Sequence, residues 1–262
     1  MTHQYLQIQR EDGIAILLLH RPDKRNALSP TMLRELRDAA LAEDRNPQTR
    51  AIVITGSGDT SFCAGFDISE LKSAGGGKPG EETGLIEEAY AKLRQIGKPL
   101  IAMINGVTMG AACDLLTNCD FRFAAEEARL AIPPARLGIL YTWEGTRRFI
   151  QLVGPANAKD LFMSGRTISA AEALAMGLVN RVVPRARLRE ETLAYARQLI
   201  EAAPLSVAGA KRIVDILMAG QGPGPEEIRA LRELQVKVWS SKDAQEGSRA
   251  FLEKRKPVFR GE

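Results

Sequence analysis

The sequence predicts an α/β fold: short strands alternate with helices to about residue 200, and an all-helical segment follows. Three observations carry this. Ala51–Thr55 and Leu100–Ile104 are apolar on both strand faces, the signature of buried parallel strands. Between such runs, apolar residues recur at helical spacing. From Leu188 onward only helical spacing remains, over 188–202, 204–219, 225–239 and 243–255.

Taken in order, Tyr5–Arg10 and Ile14–His20 read as a hairpin, because Asp12-Gly13 between alternating apolar runs favours a tight turn. After the polar loop RPDKRNALS, Ser29 and Pro30 supply an N-cap and a first helical residue. Met32, Leu33, Leu36, Ala39 and Ala40 then mark a helix that ends near Asn46-Pro47. The strand 51–55 enters a turn, GSGDTSFCAGFDISEL, and a short helix near Ile68. Ser73–Gly84 is rich in Gly and charge and reads as a surface loop before a helix over 85–96. Strands follow at 100–104, 121–124 and 128–132, with a loop or short strand at 137–142. Helices are expected at 143–153 and 156–162, broken by Gly154-Pro155, and at 169–176, then a strand over 178–183.

The whole composition narrows the function. The chain has 262 residues, 45% hydrophobic and 26% charged, enough for a full core. A net charge of +4, with basic and acidic residues intermixed, argues against nucleic acid as partner. Three cysteines without metal-ligand spacing argue against a disulfide framework or zinc site. No apolar run approaches a membrane span and no secretory leader is evident, so a cytoplasmic setting is expected. With only His3 and His20, a Ser/His/Asp or Cys/His triad is not expected.

The stretch with most chemistry is Pro99–Asp120, PLIAMINGVTMGAACDLLTNCD. A strand breaks at Asn105-Gly106, and a helix starts near Gly110 among small residues. Helix starts carry N–H groups without intrahelical partners, so a small-residue entrance lets a carbonyl oxygen approach them. Asp114 lies one turn on. A second small-residue turn, Ala64-Gly65-Phe66, offers further N–H groups, and one N–H from each turn makes a two-donor oxyanion hole. Gly56-Ser57-Gly58 is no dinucleotide fingerprint, since Ser61 stands at its third glycine. Nor is Gly75-Gly76-Gly77-Lys78 a phosphate-binding loop, since Pro79 follows.

Phe62-Cys63-Ala64-Gly65-Phe66-Asp67-Ile68 resembles the first signature of the crotonase, or enoyl-CoA hydratase/isomerase, superfamily. Asn105–Asp114 is similar to its second signature. RPDKRNALS at 21–29, SGRTISAAEALAMGLVNRVV at 164–183 and EGSRAFLEKRKPVF at 246–259 extend the likeness over nearly the whole chain. The resemblance implies a crotonase-type spiral of ββα units over 1–200 carrying the site. It implies a helical region over 201–262 that assembles homotrimers, or dimers of trimers. The substrate it implies is an acyl-CoA, with coenzyme A arriving on the substrate and no permanently bound cofactor or metal. The thioester oxygen would lie between the N–H groups of Phe66 and Ala111. Ala64 would offer its carbonyl to the adenine, with Arg25, Ala27, Asp67 and Ile68 along the CoA path and Lys254, with Lys256, at the phosphates.

Departures from the family pattern are equally informative. The first of two hydratase glutamates falls on Asp114, and the second falls on Pro134, which transfers no proton. Candidates to complete the chemistry are Tyr141 and Glu144, with Arg136 shaping the loop. Tyr141 matches a tyrosine of methylmalonyl-CoA-decarboxylase-like members, which however carry His where Phe66 stands. The expected reaction is therefore hydration or isomerisation of an enoyl-CoA, with Asp114 moving the proton. The alternatives are decarboxylation of a malonyl-CoA-type substrate, hydrolysis, and CoA binding without catalysis.

Overall fold

The computed structural model describes residues 3–67, 81–137, 141–218 and 224–262. Its frame is a six-stranded sheet in the order β1-β2-β3-β5-β7-β10. These strands are β1 (Leu6–Glu11), β2 (Ile14–Leu19), β3 (Ala51–Gly56), β5 (Leu100–Ile104), β7 (Phe121–Ala125) and β10 (Arg181–Val183). β1 and β2 form the expected antiparallel hairpin, with Leu6 opposite Leu19 and Glu11 opposite Ile14. Asp12 and Gly13 both take positive φ, 48° and 78°, as a two-residue hairpin turn matched to strand twist requires. All later pairings in this sheet are parallel.

Both faces of the sheet are covered, which explains the unbroken apolar strands. Leu17, Leu19, Ile52 and Ile54 join a core with α1 (Pro30–Arg45), α2 (Glu81–Leu93), α3 (Ala111–Thr117) and α4 (Trp143–Ser164). Ile14, Ile16, Ala51 and Val53 face the other way, toward Leu188, Leu193 and Ala196 of α6 (Arg185–Ile200). The Ser29 hydroxyl accepts from the Met32 N–H at 3.0 Å, so α1 starts where its cap predicts. α4 is interrupted at Gly154 (φ 75°, ψ 166°), the expected break. The short helix α5 (Ala170–Ala175) opens with a capping box between Ser169 and Glu172. Helices α7 (Pro204–Met218), α8 (Pro225–Trp239) and α9 (Lys242–Leu252) complete the helical C-terminal part.

A second, four-stranded sheet differs from the sequence reading. Its order is β4 (Ser61–Cys63), β6 (Val107–Met109), β8 (Arg129–Ala131) and β9 (Thr167–Ser169). The two small-residue turns therefore follow β4 and β6, not directly the strands at 51–55 and 100–104. Side-chain amides turn the chain from one sheet into the other. Asn105 Nδ2 donates to the carbonyls of Gly56 and Gly58 at 3.0 and 2.7 Å. Asn26 Nδ2 donates to those of Ser57 and Ser61 at 2.9 and 3.0 Å. Buried carbonyls that leave one ladder before joining another need such partners.

Residues 81–84, expected as loop, are helical: α2 begins at Glu81 and ends at Leu93. The expected helix near Ile68 and most of the Gly-rich loop lie outside the described residues. A 3-10 turn, Ala135–Leu137, stands where a loop or strand was expected to start.

Candidate active site

β4, β6 and β8 run parallel, and each ends in one segment of the candidate site. β4 leads to Ala64-Gly65-Phe66, β6 to Gly110–Asp114, and β8 to Ile132-Pro133-Pro134. The first two turns touch. Gly65 has φ +95°, and a Cβ built on it would stand 2.7 Å from the Met109 carbonyl oxygen and 3.9 Å from the Ala111 nitrogen. Only glycine permits both that dihedral and that approach.

Phe66 is positioned by the loop before α1. The Leu28 N–H donates to the Gly65 carbonyl at 2.7 Å, and the Asp67 N–H donates to the Leu28 carbonyl at 2.8 Å. This parallel bridge uses the groups on either side of Phe66, so the Phe66 N–H faces away from Leu28. Ala111 is the first residue of α3, where an N–H has no intrahelical acceptor. Among the described residues, neither N–H meets a protein acceptor.

Asp114, one turn into α3, is buried at 3% exposure. Oδ1 accepts from Thr117 Oγ1 at 3.1 Å and from Arg148 Nη2 at 3.2 Å; Oδ2 has the Arg148 contact at 3.3 Å. Burial pushes the Asp114 carboxyl above its ordinary value, against the pull of the Arg148 charge. Arg148 also donates to Glu87 Oε1 at 2.6 Å, and Glu87 Oε2 lies 3.6 Å from Arg94. The result is a chain of alternating charge, Asp114–Arg148–Glu87–Arg94, which the sequence reading did not find. Glu87 and Arg148 stand 61 positions apart on α2 and α4, and no local spacing joins them.

Tyr141 reaches the same region. Its hydroxyl donates to the Gly110 carbonyl at 3.3 Å, and the fully buried Tyr90 donates to the Ala111 carbonyl at 2.7 Å. Glu144 is the second residue of α4, behind the Thr142 cap. It lies one turn before Arg148 on the same helix. Pro134 is buried at the end of the β8 segment. Arg136 Nε donates to the Ser164 carbonyl at 3.0 Å, so it braces the loop against the end of α4.

Arg25 is exposed in a left-handed conformation, φ 51°, beside buried Ala27, and its carbonyl accepts from the Ala64 N–H at 3.1 Å. Asp67 is turned inward, with Oδ2 3.1 Å from Arg21 Nη2 and both side chains no more than 10% exposed. Lys254 is exposed beyond α9, and Lys256 pairs with Glu201. Ile68 lies outside the described residues. Cys63, Cys113 and Cys119 are buried thiols; burial pushes Cys63 and Cys119 up to about 12, so they remain neutral. Among the described residues, no helix is long and apolar enough to cross a membrane, and no cluster of His, Cys, Asp or Glu suits a metal.

Comparison with known proteins gives this geometry a context. Residues 9–262 match the family model described as enoyl-CoA hydratase/isomerase. A crotonyl-CoA hydratase of Syntrophomonas wolfei is 34% identical over 262 residues, 99% of each chain. A carnitinyl-CoA dehydratase of Salmonella typhi is 37% identical over 98% of each. The crystal structure of an enoyl-CoA hydratase from Bacillus anthracis superposes with a TM-score of 0.91 at 32% identity, over 99% of this chain and 100% of the other.

Proposed function

The chain belongs to the enoyl-CoA hydratase/isomerase family, whose substrates are CoA thioesters, and on that premise we propose that it moves a proton at the carbon next to the thioester carbonyl of an enoyl-CoA. The observation that carries this reading is the contact between the Gly65 and Ala111 turns with a buried carboxylate, Asp114, one turn further on. The thioester oxygen takes the Phe66 and Ala111 N–H groups. As the α-proton leaves, its electron pair moves into the carbonyl, and the two donors stabilise the enolate. Asp114 accepts the proton through Oδ2, the oxygen with fewer partners.

One carboxylate suffices for isomerisation: the proton taken from C2 returns at C4 and the double bond moves by one position. Hydration adds the oxygen of water to C3 and a proton to C2, and it enlists Glu144 as the second proton-transfer group. Ala64, Arg25 and Ala27 line the CoA path, Lys254 extends it, and Asp67 acts by bracing the turn. The assembly inferred is a trimer or a pair of trimers built on 201–262. Val214, Leu217 and Val236, each more than half exposed, support that reading.

Decarboxylation of a malonyl-CoA-type substrate is the second reading, favoured by the buried Pro134 where a proton-transfer group would stand. It uses the same enolate and expels carbon dioxide instead of a proton. A panel of 2-enoyl-, 3-enoyl- and malonyl-type CoA thioesters, run in 18O-labelled water with products resolved by mass spectrometry, separates these. Gain of labelled water or a shifted double bond supports proton transfer. Loss of carbon dioxide selects the second reading, and release of free CoA or no turnover on any thioester overturns both.

A further inference from the structure

We propose that Tyr141 is a positioning residue whose hydroxyl, bonded to the Gly110 carbonyl, fixes the Gly110–Ala111 peptide so that the Ala111 N–H points at the thioester oxygen. The inference rests on the enolate reading above and assigns Tyr141 a role other than proton transfer.

Gly110 has φ 53° and ψ −119°, outside the helical basin that follows it. A Cβ built on Gly110 would meet nothing within 4 Å, so the positive φ and not crowding calls for glycine there, and packing against a side chain does not orient the peptide. The direction of the Ala111 N–H is set by that peptide alone, because its C=O and N–H are rigidly antiparallel. Hydrogen bonds must therefore hold it. The Gly110 N–H donates to the Ala131 carbonyl at 2.9 Å and anchors the preceding peptide. The Gly110 carbonyl accepts from the Cys113 and Asp114 N–H groups at 2.9 and 3.3 Å, Tyr141 adds a third donor at 3.3 Å, and Tyr90 takes the next carbonyl, Ala111, at 2.7 Å. Two phenols thus grip successive carbonyls on either side of the donor N–H.

Tyr141 is itself fixed. Its ring centroid lies 5.1 Å from that of Phe162 and 6.4 Å from that of Phe149, and those two meet edge-to-face at 5.3 Å. A Cβ on Gly145 would stand 2.9 Å from Tyr141 Cε1, so the start of α4 is shaped to receive the ring. Burial first, and then the Asp114 charge, push the phenol well above its ordinary range, which keeps it a donor. A bond accepted by a peptide carbonyl polarises the attached N–H and strengthens the bond that N–H donates.

The test uses crotonyl-CoA labelled with 13C at the thioester carbonyl, bound to the full-length protein and read by isotope-edited infrared spectroscopy alongside steady-state kinetics. In the wild type the carbonyl band moves to lower frequency on binding. Tyr141→Phe keeps the ring, so the thermal midpoint and KM stay close to wild type. The band shift shrinks, and kcat falls about tenfold, short of the 10²–10³ lost when a donor is removed outright. Replacement by 3-fluorotyrosine, nearly isosteric but with a more acidic hydroxyl, moves the band further down and keeps the proposal testable if the Phe variant does not fold. Band positions unchanged in both variants overturn the positioning role. A wild-type band that does not move on binding overturns the enolate reading beneath it.

Discussion

Arg148 Nη2 bridges both carboxylate oxygens of Asp114, at 3.2 and 3.3 Å, while a second carboxylate, Glu87, holds the same nitrogen at 2.6 Å. The guanidinium keeps a buried acid ionisable and fixes its direction without occupying all of its lone pairs. Its strength decides where on the pH scale Asp114 can accept a proton.

Replacing Arg148 with Met is expected to move the acid limb of kcat/KM to higher pH. The wild-type limb is expected above the ordinary aspartate value, because burial raises the Asp114 carboxyl. Arg148 opposes that rise, so its removal raises the carboxyl further and activity is lost from a higher pH downward. A pH–rate profile with an unmoved limb would show that another group accepts the proton.

Asp114→Asn is expected to lower kcat by about 10²–10⁴ with KM nearly unchanged, the range a general base supplies. Glu144→Gln should act selectively, depressing addition of water while leaving 3-enoyl to 2-enoyl isomerisation in place. Equal loss of both activities in the Gln variant would remove Glu144 from its separate role.

Gly65→Ala places a methyl 2.7 Å from the Met109 oxygen on a residue at φ +95°. The two turns must separate, so kcat should fall by about 10² or more, as for loss of an oxyanion donor. Stability should fall by more than about 1–2 kcal/mol, the cost of a left-handed non-glycine residue, because the methyl also meets backbone. Rapid kinetics and urea unfolding on one preparation distinguish the two effects.

Asp67→Ala is expected to destabilise the fold by about 3–5 kcal/mol in urea, because it breaks a buried ion pair with Arg21. Affinity for CoA should follow the loss of structure. Weaker CoA binding at unchanged stability would instead make Asp67 a direct contact.

Much of this was legible from local chemistry. The hairpin at Asp12-Gly13 was readable because few residue pairs tolerate two positive φ values in succession, and the α1 start because Ser29-Pro30 is a local cap. Buried parallel strands declared themselves through β-branched runs with no polar alternation. The second sheet escaped, since Ser61–Cys63, Val107–Met109 and Thr167–Ser169 are three residues each, too short for a period of two to register. Asp114 could be singled out because it sits in the same turn as the Ala111 N–H. Its partners could not: Arg148 lies 34 positions away, and Glu87 reaches it only once α2 and α4 are packed together. Tyr90 falls within the helix expected over 85–96, but its hydroxyl partner on Ala111 is a tertiary fact.

The three parallel strands β4, β6 and β8 divide labour in a way that bears on how such a protein changes over time. The two proposed N–H donors sit behind the first and second strands, and position 134 sits behind the third. On the proposed function, a substitution at 134 is expected to change what happens to the bound acyl group while the proposed donors stay as they are. The proposed donors and Asp114 share the first two strands, so the segment behind the third can drift without them.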